Sequence, residues 1–365
     1  MKAIPRHSRT LLASLLLTLA FESLATDWDR MKTNQPRSYI CFRPASAVQI
    51  DGQINDPAWQ AAPWTDDFVD IEGGAKPKPR FRTRAKMLWD DEFLYIAAEL
   101  EEPHVSATIT NRDAVIFRDN DFEVFIDPNG DNHEYYELEI NALNTVWDLF
   151  LKIPYKDGGQ ALNTWDIAGL KTAVHINGTP NDPKDTDKGW TVEMAMPWKA
   201  LGEYAHRPAP PKAGDQWRIS FSRVEWEFRI VNGQYRKVPN KSEANWVWSP
   251  QGLIDMHRPE KWGYVQFSTK QPGEESFRPD PAAPARDVLM EIYYAEKDFH
   301  KARKRWAATL DELSLSRLKE LPSVPAPTIQ ITDEGFKASA AIRLPSGQDQ
   351  VWHITQDSRL WTEEK

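Results

Sequence analysis

Cysteine is almost absent from this 365-residue chain, in which Cys41 is the only one. A single cysteine cannot form an internal disulfide, so Cys41 is predicted to be an ordinary small buried residue. Glycine is also scarce, with 17 residues against 27 prolines. Few glycines and many prolines, together with 16 tryptophans, indicate many short strands joined by stiff loops.

Positive charge is in deficit as well. Lys and Arg number 45 against 54 Asp and Glu, which gives a formal net charge of −9. An acidic surface repels phosphate backbones, and no basic patch is interleaved with aromatic residues, so nucleic acid is not expected as a partner. The basic stretch 76–84 contains two prolines and is predicted to be a solvated loop and strand entry.

Signatures of catalysis are missing too. The chain has no H-E-x-x-H, G-x-S-x-G, P-loop or dinucleotide motif, and its histidines are dispersed. Glycoside hydrolysis needs two carboxylates placed across a cleft, and this acidic chain offers many candidate pairs without singling one out. A binding module is therefore favoured over an enzyme, with a glycoside-active enzyme as an alternative.

The N-terminal segment has the order of a secretory signal. Three basic residues precede an apolar run over 11–21, and Ser23-Leu24-Ala25 offers a small-x-Ala cleavage site. The run is short for a membrane span, and no later stretch is apolar enough for one. We predict a signal peptide over 1–25, cleavage near Ala25, export to the periplasm or outside, and a leader over 26–43. An uncleaved anchor is the alternative.

The stretch from 119 to 144 predicts a long antiparallel hairpin. Apolar residues at 122, 124 and 126 alternate with acidic ones, and the same alternation returns at 136, 138 and 140. Between them, Asp127-Pro128-Asn129-Gly130 supplies turn residues.

Other short segments also predict strands, by alternation or, at 93–100, by a nearly continuous apolar run, and have no long helices between them. They are 48–52, 85–89, 93–100, 146–153, 170–176, 190–196, 216–226 and 262–267. This spacing predicts a mainly β fold, with one antiparallel β-sandwich over 44–268.

A change of composition marks the C-terminal region. A proline-rich linker is predicted over 269–285. Within 286–365, apolar residues spaced by three and four from Ile292 to Leu313 predict an amphipathic helix, and alternation from Phe336 to Ile342 predicts a small β-meander. We expect this unit to dock on the sandwich through Phe299, Trp306 and Leu310, because it is too small to bury a core alone.

Five motifs, in this order and spacing, resemble those of the family 9 carbohydrate-binding modules. They are IDG (50–52) with DPAW (56–59), LWDD (88–91) with LYI (94–96), DFEVFID (121–127), GWTVE (189–193) with MPW (196–198), and DQWRI (215–219). The resemblance covers about residues 44–268 and implies an immunoglobulin-like or jelly-roll-like β-sandwich. It also implies non-catalytic binding of an oligosaccharide or polysaccharide in secreted polysaccharide-degrading systems, with structural calcium in some members.

The resemblance also implies binding residues. In the family, two aromatic rings sandwich a sugar while polar groups orient its hydroxyls. The first ring falls on Phe117 and the hydroxyl-binding glutamate on Glu123. The family's sugar-binding arginine falls near Glu139, and the second ring falls near Met256 and His257, so the sequence departs from the family there.

Two candidate cofactors remain. Asp127, Asn129 and Asp131 have the one-three-five spacing of an oxygen-ligand loop, so calcium is a candidate, although Leu138 stands where an EF-hand needs a glutamate. Related sandwiches resemble haem-b carriers of periplasmic dehydrogenases. Met256 with a nearby lysine, or His257, is the candidate axial set for that electron-transfer alternative.

Overall fold

Strands dominate the computed structural model, which describes residues 26–363. The predicted signal peptide, 1–25, lies outside the described residues. The strands are β1 Ser38–Phe42, β2 Val69–Asp70, β3 Thr83–Trp89, β4 Phe93–Glu101, β5 Asp121–Asp127, β6 Tyr135–Asn141, β7 Val146–Leu151, β8 Ala161–Leu162, β9 Lys171–Asn177, β10 Gly189–Pro197, β11 Gln216–Glu225, β12 Phe228–Val231, β13 Gln234–Lys237, β14 Ala244–Val247, β15 Gly263–Ser268, β16 Thr328–Ile331, β17 Phe336–Arg343, β18 Asp349–Thr355 and β19 Leu360–Thr362. The α-helices are α1 Asp27–Met31, α2 Pro57–Ala61, α3 Trp198–Leu201 and α4 Ala283–Arg303.

One large sheet runs in the order β8-β7-β6-β5-β11-β15-β1-β3-β4-β10-β9, with β14 and β2 attached beside β11. It curls so that the β3–β4–β10 region and the β5–β6–β11 region bury their apolar faces in a single core, represented by Met87, Ile96, Phe122 and Val124. The predicted mainly β sandwich is therefore confirmed.

The central hairpin forms as predicted. β5 and β6 pair antiparallel from Asp121 opposite Asn141 to Ile126 opposite Tyr136. Because side chains alternate along a strand, Phe122 and Val124 enter the core while Glu123 and Phe125 point to the opposite face. That opposite face carries the candidate site.

Three expectations for the sandwich need correction. The sheet is not wholly antiparallel, because β1 pairs in parallel with β15 and β3. The predicted loose leader contains α1 and β1, so the sheet begins at Ser38 rather than after residue 44. Residues 48–52 form no strand, because the N–H groups of Asp51 and Gly52 donate to the buried carboxylate of Glu193 instead of to a ladder.

The C-terminal unit has its own core. α4 packs against β17 and β18 of the four-stranded meander β16–β19, and Trp28 and Met31 of α1 join the same cluster. The predicted helix is misplaced: α4 begins at Ala283, inside the predicted linker, and ends at Arg303, where Lys304 takes a left-handed conformation. Trp306 and Leu310 lie beyond the helix and still contribute to this second core.

The contact between this unit and the sandwich is strongly polar, unlike the expected apolar contact through Phe299, Trp306 and Leu310. The buried carboxylate of Asp157 accepts hydrogen bonds from Tyr293 Oη at 2.6 Å, Lys297 Nζ at 2.8 Å and Ser358 Oγ at 2.7 Å. Burial opposes ionisation of Asp157, but Lys156 and Lys297 hold its pKa below the ordinary value. Asp157 is therefore a charged anchor for both α4 and the meander.

The helices of residues 26–363 include none with both the length and the apolar character needed to cross a lipid bilayer.

Candidate functional site

A cleft of about 190 Å³ opens on the face of the β5–β6 hairpin that is turned away from the main core. Its lining includes all five residues that the sequence analysis assigned to ligand binding: Phe117, Glu123, Glu139, Met256 and His257. These residues come from distant parts of the chain and the sheet brings them together. Their role in holding a sugar stays a prediction.

Two rows of side chains cross the strands beneath this cleft. The first row runs Trp147, Glu139, Glu123 and Ser222 on β7, β6, β5 and β11. The second row runs Leu149, Glu137, Phe125 and Ser220 on the same strands. Directly opposed residues of antiparallel strands point to one face with their Cβ atoms about 5 Å apart. The strand register therefore places the three glutamates of β5 and β6 between Trp147 and Leu149 on one side and Ser220 and Ser222 on the other. We call the surface formed by these glutamates the floor of the cleft.

The carboxylates of this floor are almost removed from water. Glu123, Glu137 and Glu139 are each at most 5% exposed. Burial raises the pKa of Glu123 to about 7. The pKa values of Glu137 and Glu139 are raised well above the ordinary value. Burial is the larger cause, and repulsion from Glu123 is the second. A protonated carboxyl donates as well as accepts hydrogen bonds, so this floor suits either sugar hydroxyls or a cation.

Aromatic rings line the rim of the cleft. Phe117 is 38% exposed, and its own backbone N–H donates to Glu139 Oε2 at 2.8 Å. Tyr155 is 42% exposed, and Trp147 is half-buried at the end of the first row. Exposed rings beside convergent polar groups have the composition of a sugar-binding surface, because pyranose C–H groups pack on aromatic faces.

Sequence reasoning missed Glu137, Trp147 and Tyr155. The period-two alternation of β6 places Glu137 on the same face as Glu139, so Glu137 could have been predicted from the sequence once Glu139 was assigned. Trp147 required the β6–β7 register. Tyr155 lies in a 3-10 turn after β7 and reaches the cleft only through the fold, so no local signal indicated it.

The second ring of the family does not occur at 256–257. Met256 is buried, and its carbonyl accepts the indole N–H of Trp262 at 2.8 Å. The imidazole of His257 meets the hydroxyl of Tyr135 at 2.9 Å and lies edge to face with Tyr155, ring centroids 4.4 Å apart. Burial lowers the pKa of His257 to about 4, so the ring is neutral at physiological pH. Tyr155 therefore occupies the side of the cleft where a second ring was expected.

The haem alternative gains no support from this geometry. The lining of the cleft, as far as residues 26–363 describe it, contains no lysine that faces Met256 or His257. A Met–Lys axial pair is therefore not assembled here.

The loop predicted to bind calcium is held by its own backbone. Both oxygens of Asp127 accept N–H groups, from Gly130 at 2.8 Å and Asn132 at 3.0 Å. Asn129 accepts the N–H of Asp131 at 3.2 Å, and Asp131 accepts that of His133 at 2.8 Å. The loop also contacts the meander, where the carbonyl of Asp131 accepts the N–H of Leu360. Calcium at Asp127, Asn129 and Asp131 stays a prediction.

Comparison with protein families gives one match. Residues 50–214 match the carbohydrate family 9 binding domain-like family. This segment contains the β5–β6 hairpin and four of the five motifs from which the resemblance was first drawn.

Curated relatives that match part of this chain include two glycoside-active proteins. The exoglucanase XynX of Acetivibrio thermocellus is 27% identical over 154 residues, which is 42% of this chain and 12% of that protein. The endo-1,4-beta-xylanase A of Thermoanaerobacterium saccharolyticum is 26% identical over 153 residues, which is 42% of this chain and 11% of that protein. The matches thus span only about an eighth of the length of these relatives.

Solved structures with a similar chain path include two carbohydrate-binding proteins. One is a family 9 carbohydrate-binding module of Caldicellulosiruptor kristjanssonii in complex with cellotriose, with 16% identity, a TM-score of 0.42, and coverage of 67% of this chain and 100% of that chain. The other is a putative carbohydrate-binding protein of Bacteroides uniformis, with 16% identity, a TM-score of 0.46, and coverage of 64% and 100%.

Proposed function

From the premise that residues 50–214 of this chain form a family 9-like carbohydrate-binding domain, we propose that the protein binds an oligosaccharide or polysaccharide without cleaving it. The ligand lies in the cleft over β5 and β6, where Phe117 stacks on a sugar ring and Glu123 hydrogen-bonds its hydroxyls. Tyr155 supplies the second aromatic contact in place of a ring at 256–257.

The gathering of Phe117, Glu123 and Tyr155 around one open cleft carries this proposal. The two rings are the exposed aromatic surface of the cleft, and the carboxyl lies on its floor. A flat apolar ring with polar groups at its edge is the surface that a pyranose requires. The departure at Glu139, where the family has an arginine, leads us to expect a ligand chemistry different from that of the family.

We further propose that the protein is exported and assists polysaccharide breakdown. The order of charged, apolar and small residues in 1–25 supports export. The relatives named above are an exoglucanase and a xylanase, which supports an accessory role in the breakdown of O-glycosyl polymers. Intact-mass measurement of the secreted protein tests the first point, since retention of Met1 to Ala25 contradicts it.

A glycan array followed by calorimetry tests the binding itself. Wild-type protein is expected to bind at least one plant, algal or bacterial glycan. Phe117→Ala removes a stacking contact of about 1 kcal/mol, so it should weaken binding several-fold without unfolding the protein. Ile331→Ala is the matched control, because Ile331 is an exposed apolar residue of β16 in the C-terminal meander.

Two outcomes oppose the proposal. Absence of binding to every glycan, with and without calcium, contradicts carbohydrate recognition. Release of reducing ends from a bound glycan by the pure protein contradicts the non-catalytic role and favours the glycoside-active alternative.

A further inference from the structure

Three carboxylates form a compact oxygen cluster at the cleft, where Glu123 and Glu139 line the floor and Asp121 is fully buried beside them. One oxygen from each of Asp121, Glu123 and Glu139 lies within 4.8 Å of the others. All three residues are buried and stand on the paired strands β5 and β6, where Glu123 is directly opposite Glu139. Their positions are therefore set by the sheet rather than by a mobile loop.

No salt bridge among the described residues balances this cluster, although the charge of Asp121 is felt by Lys237. Among residues 26–363, no lysine or arginine forms a salt bridge with Asp121, Glu123 or Glu139. By contrast, the other compact group of carboxylates, Asp113, Asp148 and Asp166, lies beside Arg112. Arg112 forms salt bridges with Asp148 and Asp166. Directly opposed like charges destabilise a sheet, and buried charges without partners cost several kcal/mol. Without a cation, the described chain compensates this cluster by holding protons, which is why the pKa values of Asp121, Glu123 and Glu139 are raised.

Two buried polar atoms at the cluster also have no protein partner. Asp121 uses one carboxylate oxygen to accept the N–H of Val224 at 3.2 Å, while its Oδ2 accepts no hydrogen bond from the described residues. Ser222 Oγ, on the residue opposite Glu123, is fully buried and lies close enough to Glu123 to lower the pKa of that carboxyl, yet it makes no hydrogen bond of adequate geometry within 26–363. Buried polar atoms are almost always satisfied, so unsatisfied atoms of two residue types beside one cluster point to a ligand.

We propose that Asp121, Glu123 and Glu139 bind a hard divalent cation, for which Ca²⁺ is the probe, at the floor of the cleft. Carboxylate oxygens at about 2.4 Å from Ca²⁺ can be up to about 5 Å apart in one coordination shell, which matches the spacing of this cluster. Ser222 Oγ lies at the same floor as an additional oxygen donor. The cleft is open above, so water or a ligand hydroxyl completes the shell.

This inference does not rest on the proposed sugar binding, and it differs from the predicted loop site. At the loop, both oxygens of Asp127 are already used by backbone N–H groups, whereas Asp121 keeps one oxygen free. If a sugar binds as well, its hydroxyls are placed to coordinate the cation, because Glu123 belongs to both sites.

Titration of the chelator-treated protein with CaCl₂, without sugar, tests the cation site. Calorimetry is expected to show one saturable binding event, and thermal unfolding is expected to shift upward with Ca²⁺ concentration. Terbium luminescence excited through tryptophan gives a position-sensitive readout, because Trp147 stands opposite Glu139. MgCl₂ and MnCl₂ are titrated in parallel to define the cation class.

Glu123→Gln and Glu139→Gln keep the side-chain shape while they remove a charge. Each is expected to weaken Ca²⁺ binding at least tenfold, while the chelator-treated variant melts at or above the wild-type temperature because repulsion is relieved. Asp166→Asn, in the carboxylate group already paired with Arg112, is the matched control and should bind as wild type does. Phe117→Ala should keep cation binding even where it loses sugar binding, which separates the two proposals.

Absence of heat, thermal shift and terbium signal with all three cations overturns the cation site while leaving the sugar proposal standing. Equal Ca²⁺ binding by wild type and both glutamine variants overturns the assignment to this floor. If only Asp166→Asn loses Ca²⁺ binding, the cation binds at the other carboxylate group, which also overturns the assignment to this floor.

Discussion

Glu123 and Glu139 stand directly opposite each other on β5 and β6, both buried and both without a basic partner among the described residues. Burial raises the pKa of Glu123 to about 7. The pKa of Glu139 is raised well above its ordinary value, mainly by burial and also by repulsion from Glu123. This pair controls both the pH dependence of stability and the character of the cleft.

The raised pKa of Glu123 predicts a specific pH dependence. Between its ordinary value of 4.5 and about 7, the folded state binds more protons than the unfolded state, so the free energy of unfolding falls as pH rises. In the presence of chelator, Glu123→Gln should therefore stabilise the protein at pH 8 by up to about 3 kcal/mol and leave it unchanged near pH 4. Urea unfolding at both pH values measures this difference. An equal gain at both contradicts the assignment.

His257 should behave in the opposite direction. Burial lowers its pKa to about 4, so the unfolded state binds more protons than the folded state between pH 6.5 and 4. The contribution of His257 to stability is present above pH 6.5 and is lost as pH falls through this window. An NMR titration should show its imidazole neutral at pH 5.5, with the resonance assigned by its absence in His257→Gln. A midpoint above 6 would refute the buried neutral ring.

The sequence predicted the sandwich because its signals are local and repeated. Alternation from Asp121 to Asp127 is typical of a strand whose two faces have different surroundings, and the β5–β6 hairpin follows it closely. Residues 48–52 alternate without forming a strand, because the N–H groups of Asp51 and Gly52 are satisfied by a side chain, Glu193, that lies far away in the sequence. Local alternation carries no information about such a partner.

The candidate site was predictable only in part. Phe117, Glu123 and Glu139 came from the family resemblance, and the structure places them in one cleft. Tyr155 was missed because its position depends on the path of the chain after β7. The end of the helix was predicted too late because Trp306 and Leu310 keep an apolar spacing although the chain has already left α4, so periodicity alone did not mark its end.

The contribution of the Tyr155 ring to glycan binding can be measured separately from that of its hydroxyl group. Tyr155→Ala should weaken glycan binding several-fold, since it removes an exposed ring from the cleft, while Tyr155→Phe should bind nearly as wild type does if stacking dominates. Calorimetry with the glycan identified on the array measures both variants. If Tyr155→Phe loses as much affinity as Tyr155→Ala, the hydroxyl rather than the ring makes the contact.

Asp157 links the C-terminal unit to this same ring, because Tyr155 and Asp157 belong to one 3-10 turn. Asp157→Asn removes the charge that pairs with Lys297 and weakens the acceptance of the Tyr293 and Ser358 hydroxyls, at a cost on the order of 2 kcal/mol. Hydrogen exchange should therefore accelerate in α4 and β18, and glycan binding should weaken as Tyr155 loses its fixed position. Asp166→Asn, an exposed carboxylate away from this contact, is the control and should change neither. Unaltered exchange in α4 with Asp157→Asn would show that apolar contacts, rather than this anchor, hold the C-terminal unit on the sandwich.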